Sequence, residues 1–180
     1  MPFTLSTKDR NLIAETFNVK EKIVTILAED FESTVKERIS REFLSHVVSA
    51  LEKMAREITG NKLFIIELKP LADGYNVFSS KYSPRRFFTV YYPEDMEPKQ
   101  KRVGIAHELG HLYVLLLLKL SDVLGGDENL CSIFSILTIA DRCQFYKKDS
   151  SAYTHVSVED IISTMSLLHN RTIGKVNVSE

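Results

Sequence analysis

The run His107-Glu108-Leu109-Gly110-His111 places two imidazoles four residues apart with a carboxylate beside the first. On an α-helix, positions i and i+4 lie on one face one turn apart, so both rings can reach a single Zn²⁺ at roughly 2.0–2.1 Å. Glu108 projects beside that pair. There it can take the proton of a water whose pKa the ion has lowered to about 7, readying it to attack a peptide carbonyl. The chemistry this order of residues implies is that of a zinc-dependent peptidase.

The neighbouring residues bear on that reading. From Val103 to Lys119 the chain is strongly apolar apart from His107, Glu108, His111 and Lys119, so three polar groups sit in or beside a hydrophobic stripe. A buried carboxylate or imidazole without a partner costs several kcal/mol, and metal coordination is one of the few arrangements that makes such a cluster tolerable. Gly110 inside a helix costs up to about 1 kcal/mol relative to Ala, which implies that something approaches the backbone closely there.

A catalytic zinc keeps three protein ligands and one open position, so a third ligand is required. Extending the motif as H-E-x-x-H-x-x-G-x-x-H fails, because the corresponding positions hold Val114 and Leu117. The other solution takes a carboxylate from a following helix. Glu128 lies seventeen residues after His111, beyond a Gly125-Gly126 break that lets the chain reverse, and is the first choice. Asp127, Glu159, His155 and His169 are the remaining contenders, with Asp127 better explained as a helix cap. Tyr91, Tyr92, Tyr113 and His155 are the residues from which an oxyanion partner would come.

These side chains need a scaffold, and the hydrophobic spacing outlines one. Helical periodicity runs over roughly residues 7–29, with a break near Asn18, and again over about 30–59, ended by Gly60-Asn61. Short β-rich runs follow at 63–68, 75–78 and 86–92, separated by turn residues, and imply a small sheet of three strands, mostly antiparallel. The last of these precedes the metal helix and is a possible border strand of the cleft, able to pair with extended substrate backbone. Acids and Pro98 open the metal helix, which continues to about Leu120. The next helix is expected from Asp127 to about Tyr146. Ser157-Val158-Glu159-Asp160 resembles a capping box opening a last helix that buries Val158, Ile161, Ile162, Met165 and Leu168. The tail from Arg171 is polar and is expected to be loose. The fold class this implies is α+β.

The chain has 180 residues, 44% hydrophobic and 26% charged, enough for one well-packed domain and too few for two of ordinary size. Twenty-three basic residues against 24 acidic ones leave a net charge of −1, so no global field favours nucleic acid or an anionic membrane. Lys81, Arg85, Arg86, Lys99, Lys101 and Arg102 form a local basic cluster that reads as ordinary solvated surface. The N-terminal residues lack the apolar core of a secretory signal, and the run Leu112–Leu118 is too short to span a bilayer. A cytoplasmic location follows as an expectation. Cys131 and Cys143 fall twelve positions apart in one expected helix, about 18 Å at 1.5 Å per residue, too far for a disulfide between them. They read as buried thiols of a reducing compartment.

The stretch Val103-Gly104-Ile105-Ala106-His107-Glu108-Leu109-Gly110-His111-Leu112, followed by Glu128-Asn129-Leu130-Cys131-Ser132-Ile133-Phe134-Ser135, resembles the ImmA/IrrE family of metallopeptidases. Members carry A-H-E-L-G-H-L, a variable loop, and then E-x-x-A-N-x-F-A. The resemblance covers about residues 86–140. The first helices are not covered by it; length and periodicity give one domain over residues 1–180, with a helical part to 60, a small sheet over 61–93, a metal-binding helical part over 94–170 and a tail from 171, and the resemblance marks that domain as zincin-like. It implies one Zn²⁺ held by His107, His111 and Glu128, with Glu108 as general base and Phe134 at the family's aromatic position. The implied substrate is a protein, in this family often a helix-turn-helix repressor. Cys131, Ser132 and Ser135 stand where the family has Ala, Asn and Ala; Ser132 can still supply a hydrogen bond to the site. The reading of a different class is a non-catalytic regulatory or interaction module stabilised by a metal, which would need a fourth protein ligand such as Asp127 or His155.

Overall fold

Ser6 opens the first helix by accepting the Asp9 N–H at 3.0 Å. That helix, α1 (Thr7–Phe17), ends at Asn18, whose φ of 51° is the left-handed conformation that asparagine tolerates at a helix C-terminus. The computed structural model describes residues 5–35, 43–72, 74, 77–83, 86–117, 128–140, 145–146, 153–154, 157–169 and 173–178. Helix α2 (Glu21–Val35) follows the break at Asn18 and runs straight through the expected boundary near residue 30. The reason is in the spacing: Val24, Leu27 and Phe31 continue one buried stripe, and neither Gly nor Pro interrupts it. Helix α3 (Phe43–Thr59) ends before Gly60. Its Glu52 accepts the Ile66 N–H at 2.9 Å, and its Arg56 donates to the Phe64 carbonyl at 2.9 Å, fixing the entry to the sheet.

The architecture is α+β. Strands β1 (Ile65–Leu71), β2 (Phe78–Ser83) and β3 (Phe87–Pro93) lie in the order β1-β3-β2. The β2–β3 hairpin is antiparallel, as expected, with Ser80 opposite Val90 and Tyr82 opposite Phe88. β1 instead runs parallel to β3, so the sheet is mixed. The run 75–78 enters the sheet only at Phe78; residues 75 and 76 lie outside the described residues, and β2 extends on to Ser83. β3 is paired on both sides, so it is not a free edge that could receive a substrate strand.

Helix α4 (Pro98–Leu117) starts with Pro at a position where its missing N–H is no loss, and Lys101 N–H reaches the Glu97 carbonyl at 2.9 Å. Helix α5 (Glu128–Ile139) stops well short of Tyr146. Phe145 and Tyr146 form a two-residue strand, β4, antiparallel to β5 (Tyr153–Thr154), so the expected helix to 146 is corrected; Cys143 lies outside the described residues. Aromatic Phe145 and Tyr146 favour the extended chain. Helix α6 (Val158–His169) is capped by Ser157, which accepts the Asp160 N–H at 3.1 Å, and it buries Val158, Ile161 and Leu168. The tail is not loose throughout: β6 (Ile173–Val178) pairs parallel with the outer edge of β2. Its Val176 and Val178 stand two apart, the period of a strand.

From Val103 onward helix α4 is buried nearly all round, as its apolar sequence there requires. The sheet covers one side, and α3, α5 and α6 cover the others. Gly104 and Glu108, four residues apart on α4, face Phe78 and Ser80, two apart on β2. The spacings match because four helical residues rise about 6 Å and two strand residues about 6.6 Å. Among the described residues no helix is long and apolar enough to cross a membrane. A Cβ at Gly104 would lie 2.2–2.6 Å from three ring carbons of fully buried Phe78. Gly104→Ala is therefore expected to lower stability by about 1–3 kcal/mol, read as a shifted urea midpoint at unchanged slope.

Candidate metal centre

One turn of α4 separates His107 from His111, and both rings point toward α5, their centroids 5.3 Å apart. Across from them stands Glu128 in the first turn of α5. Its Oε2 lies 2.6 Å from His107 Nε2, and its Oε1 lies 3.5 Å from His111 Nε2. Ligand atoms of the three side chains all fall within 4.8 Å of one another, so this group could hold a metal ion. Both histidines are buried, whereas the Glu128 side chain is 51% exposed. The cluster therefore has a wet side and a dry side.

The dry side is where a cation could be held. His111 Nε2 and Glu108 Oε1 are buried without a hydrogen-bond partner. Each such orphan costs roughly 1–3 kcal/mol, and a divalent ion between His107, His111 and Glu128 would satisfy the imidazole nitrogen directly. Two imidazoles and one carboxylate form a donor set that zinc accepts while leaving a position for water.

The site exists because α5 lies antiparallel and close against α4. Ser135 donates to the Val103 carbonyl at 3.0 Å, Ser132 Oγ lies 3.3 Å from His107 Nδ1, and Cys131 Sγ lies 3.4 Å from His111 Nδ1. Descending α5 thus matches ascending α4. The close approach implied by Gly110 is real: a Cβ there would stand 3.0 Å from the Cα and the carbonyl oxygen of Cys131. Phe134 packs beneath, edge-on to Phe31 at 5.6 Å and tilted against Tyr113 at 4.6 Å.

Glu108 faces the sheet. Ser80 donates to its Oε2 at 2.8 Å, and the same oxygen lies 3.8 Å from His111 Nε2. Burial pushes the Glu108 carboxyl up to about 8, opposed by the Ser80 bond and reinforced by the charge of Glu128. Burial likewise drives the His111 imidazole down to about 4, helped by His107 and opposed by Glu128.

His107, Glu108, His111 and Glu128 are thus brought together as the sequence implies. Asp127 and His155 lie outside the described residues, and Glu159 is exposed on α6, 3.9 Å from Lys8. Tyr113 is not available as an oxyanion donor: it is buried, and its hydroxyl donates to Asp30 on α2. Ser80 and the Cys131 thiol are the site neighbours that spacing does not reveal. Ser80 is one hydroxyl in a β-rich run, and only the docking of β2 on α4 brings it to Glu108. No protein-family model, curated protein or solved structure matches this chain.

The two shifted groups make the metal-free protein sensitive to pH. Glu108 holds its proton more tightly when folded, so its contribution is complete below the ordinary carboxylate range and is lost as pH rises through about 8. His111 is lowered, so its contribution is present above its ordinary 6.5 and is lost as pH falls through about 4. Between pH 6.5 and 8 only the Glu108 contribution changes. The melting temperature of metal-free protein is expected to fall there by a few degrees, on the order of 1–2 kcal/mol, and this fall should be absent in Glu108→Gln.

Proposed function

We propose that this chain is a zinc-dependent endopeptidase of the ImmA/IrrE type, acting in the cytoplasm on a protein substrate such as a helix-turn-helix repressor. The observation that carries the reading is the convergence of His107, His111 and Glu128 around a buried, unpartnered imidazole nitrogen, with the Glu108 carboxylate beside it. His107, His111 and Glu128 would hold the ion. When bound, it would acidify water and polarise the scissile carbonyl.

Glu108 handles the proton. Ser80 holds one oxygen of its carboxylate, leaving Oε1 without a hydrogen-bond partner and able to accept a proton from the attacking water. As the water oxygen bonds to the carbonyl carbon and the C–N bond breaks, the same proton passes to the leaving amine. Burial alone pushes this carboxyl up to about 8, and a divalent ion beside it would favour the ionised form, the one that accepts a proton from water. The exposed side of Glu128 is the direction from which substrate would arrive.

Three variants test the assignment. His107→Ala should purify without stoichiometric zinc, as measured by elemental analysis. Glu128→Ala should bind zinc weakly and exchange it rapidly. Glu108→Gln should keep its zinc yet lose cleavage of an unfolded protein substrate by roughly 10²–10⁴-fold. Cleavage by Glu108→Gln at the rate of the unaltered protein would refute the general-base role.

A further inference from the structure

Glu128, Cys131 and Ser132 occupy positions i, i+3 and i+4 of α5, so they share one helix face, and that face is the one turned to α4. Each of the three meets a histidine. Glu128 approaches both rings at Nε2, while Ser132 Oγ stands 3.3 Å from Nδ1 of His107 and Cys131 Sγ stands 3.4 Å from Nδ1 of His111. The two rings are therefore addressed from both ends by a single helix.

A neutral imidazole carries its proton on one nitrogen and a lone pair on the other. A metal ligand needs the lone pair at Nε2, which puts the proton on Nδ1 and requires an acceptor there. We propose that Ser132 and Cys131 are positioning residues, accepting the Nδ1–H of His107 and His111 respectively and so fixing both rings with Nε2 toward the ion. Accordingly, Cys131 binds no metal itself. Its sulfur lies against the outward nitrogen of His111, and its backbone is held there by Gly110, where any Cβ would come within 3.0 Å of Cys131 Cα. The proposal rests on the metal-centre reading, and it adds that α5 sets ring orientation as well as closing the ligand triangle. A carboxylate or carbonyl is the usual partner for an imidazole that binds metal. This chain uses a hydroxyl and a thiol, both short enough to fit between closely packed helices.

The test is metal affinity, measured on the full chain by competition with a chromogenic chelator for Zn²⁺. Ser132→Ala and Cys131→Ala should each weaken binding by about 10–100-fold. Ser132→Thr and Cys131→Ser, which keep an acceptor, should stay within a few-fold of the unaltered protein. The melting temperature of each metal-free variant is measured alongside. If the alanine variants lose stability but keep the original affinity, the residues merely pack and the proposal is overturned. The Co²⁺-loaded protein supplies a second readout. It should show no sulfur-to-cobalt charge-transfer band; a band that disappears in Cys131→Ala would make Cys131 a ligand and overturn its assigned role. A full chain that binds neither Zn²⁺ nor Co²⁺ refutes the metal centre itself, an outcome distinct from normal binding with indifferent variants.

Discussion

Close contact between α4 and α5 at Gly110 is the constraint on which the site depends. With no side chain at that position, the backbone of Cys131 lies where a Cβ would stand 3.0 Å away. From this contact the register follows. Ser135 reaches the Val103 carbonyl, Ser132 reaches His107, and Glu128, one turn nearer the start of α5, reaches both imidazoles. A separation larger by a methyl group would lengthen all these contacts together. The helical cost of glycine, up to about 1 kcal/mol, is offset by what the approach makes possible.

The second constraint is dielectric. Helix α4 is wrapped by the sheet and by helices, yet it carries His107, Glu108 and His111 within its core. Apolar surroundings favour the neutral forms of Glu108 and His111, which is why one is shifted up and the other down. A neutral imidazole is the form that would ligate a metal. Burial therefore destabilises both groups as charges. Ser80 holds one oxygen of Glu108, and the exposed carboxylate of Glu128 leaves a route to solvent.

Much of this site was legible in the sequence, for physical reasons that differ by residue. The spacing of His107 and His111 needs only helical geometry, and Gly110 implied a close neighbour that proves to be Cys131. Glu128 followed from the need for a third ligand beyond a chain reversal. Ser80 was not legible, because its role depends on how β2 docks on α4, a tertiary fact with no local pattern. Cys131 read as a packing thiol, since spacing cannot reveal which ring nitrogen it meets. In the fold, the break at Asn18 and the cap at Ser157 were evident because each is decided by local hydrogen bonds. The parallel alignment of β1 with β3 and the addition of β6 to β2 were not, because strand pairing is non-local. The end of helix α5 is not marked in the sequence, because no Gly or Pro stands between its apolar run and the strand at Phe145.

The most direct measurement of the central claim is a crystal structure of the zinc-loaded protein with anomalous diffraction recorded at the zinc edge. The account predicts one strong anomalous peak, bonded to Nε2 of His107, Nε2 of His111 and the carboxylate of Glu128, at roughly 2.0–2.2 Å. A peak placed elsewhere, or one bonded to the histidines with Glu128 turned away to solvent, would contradict it.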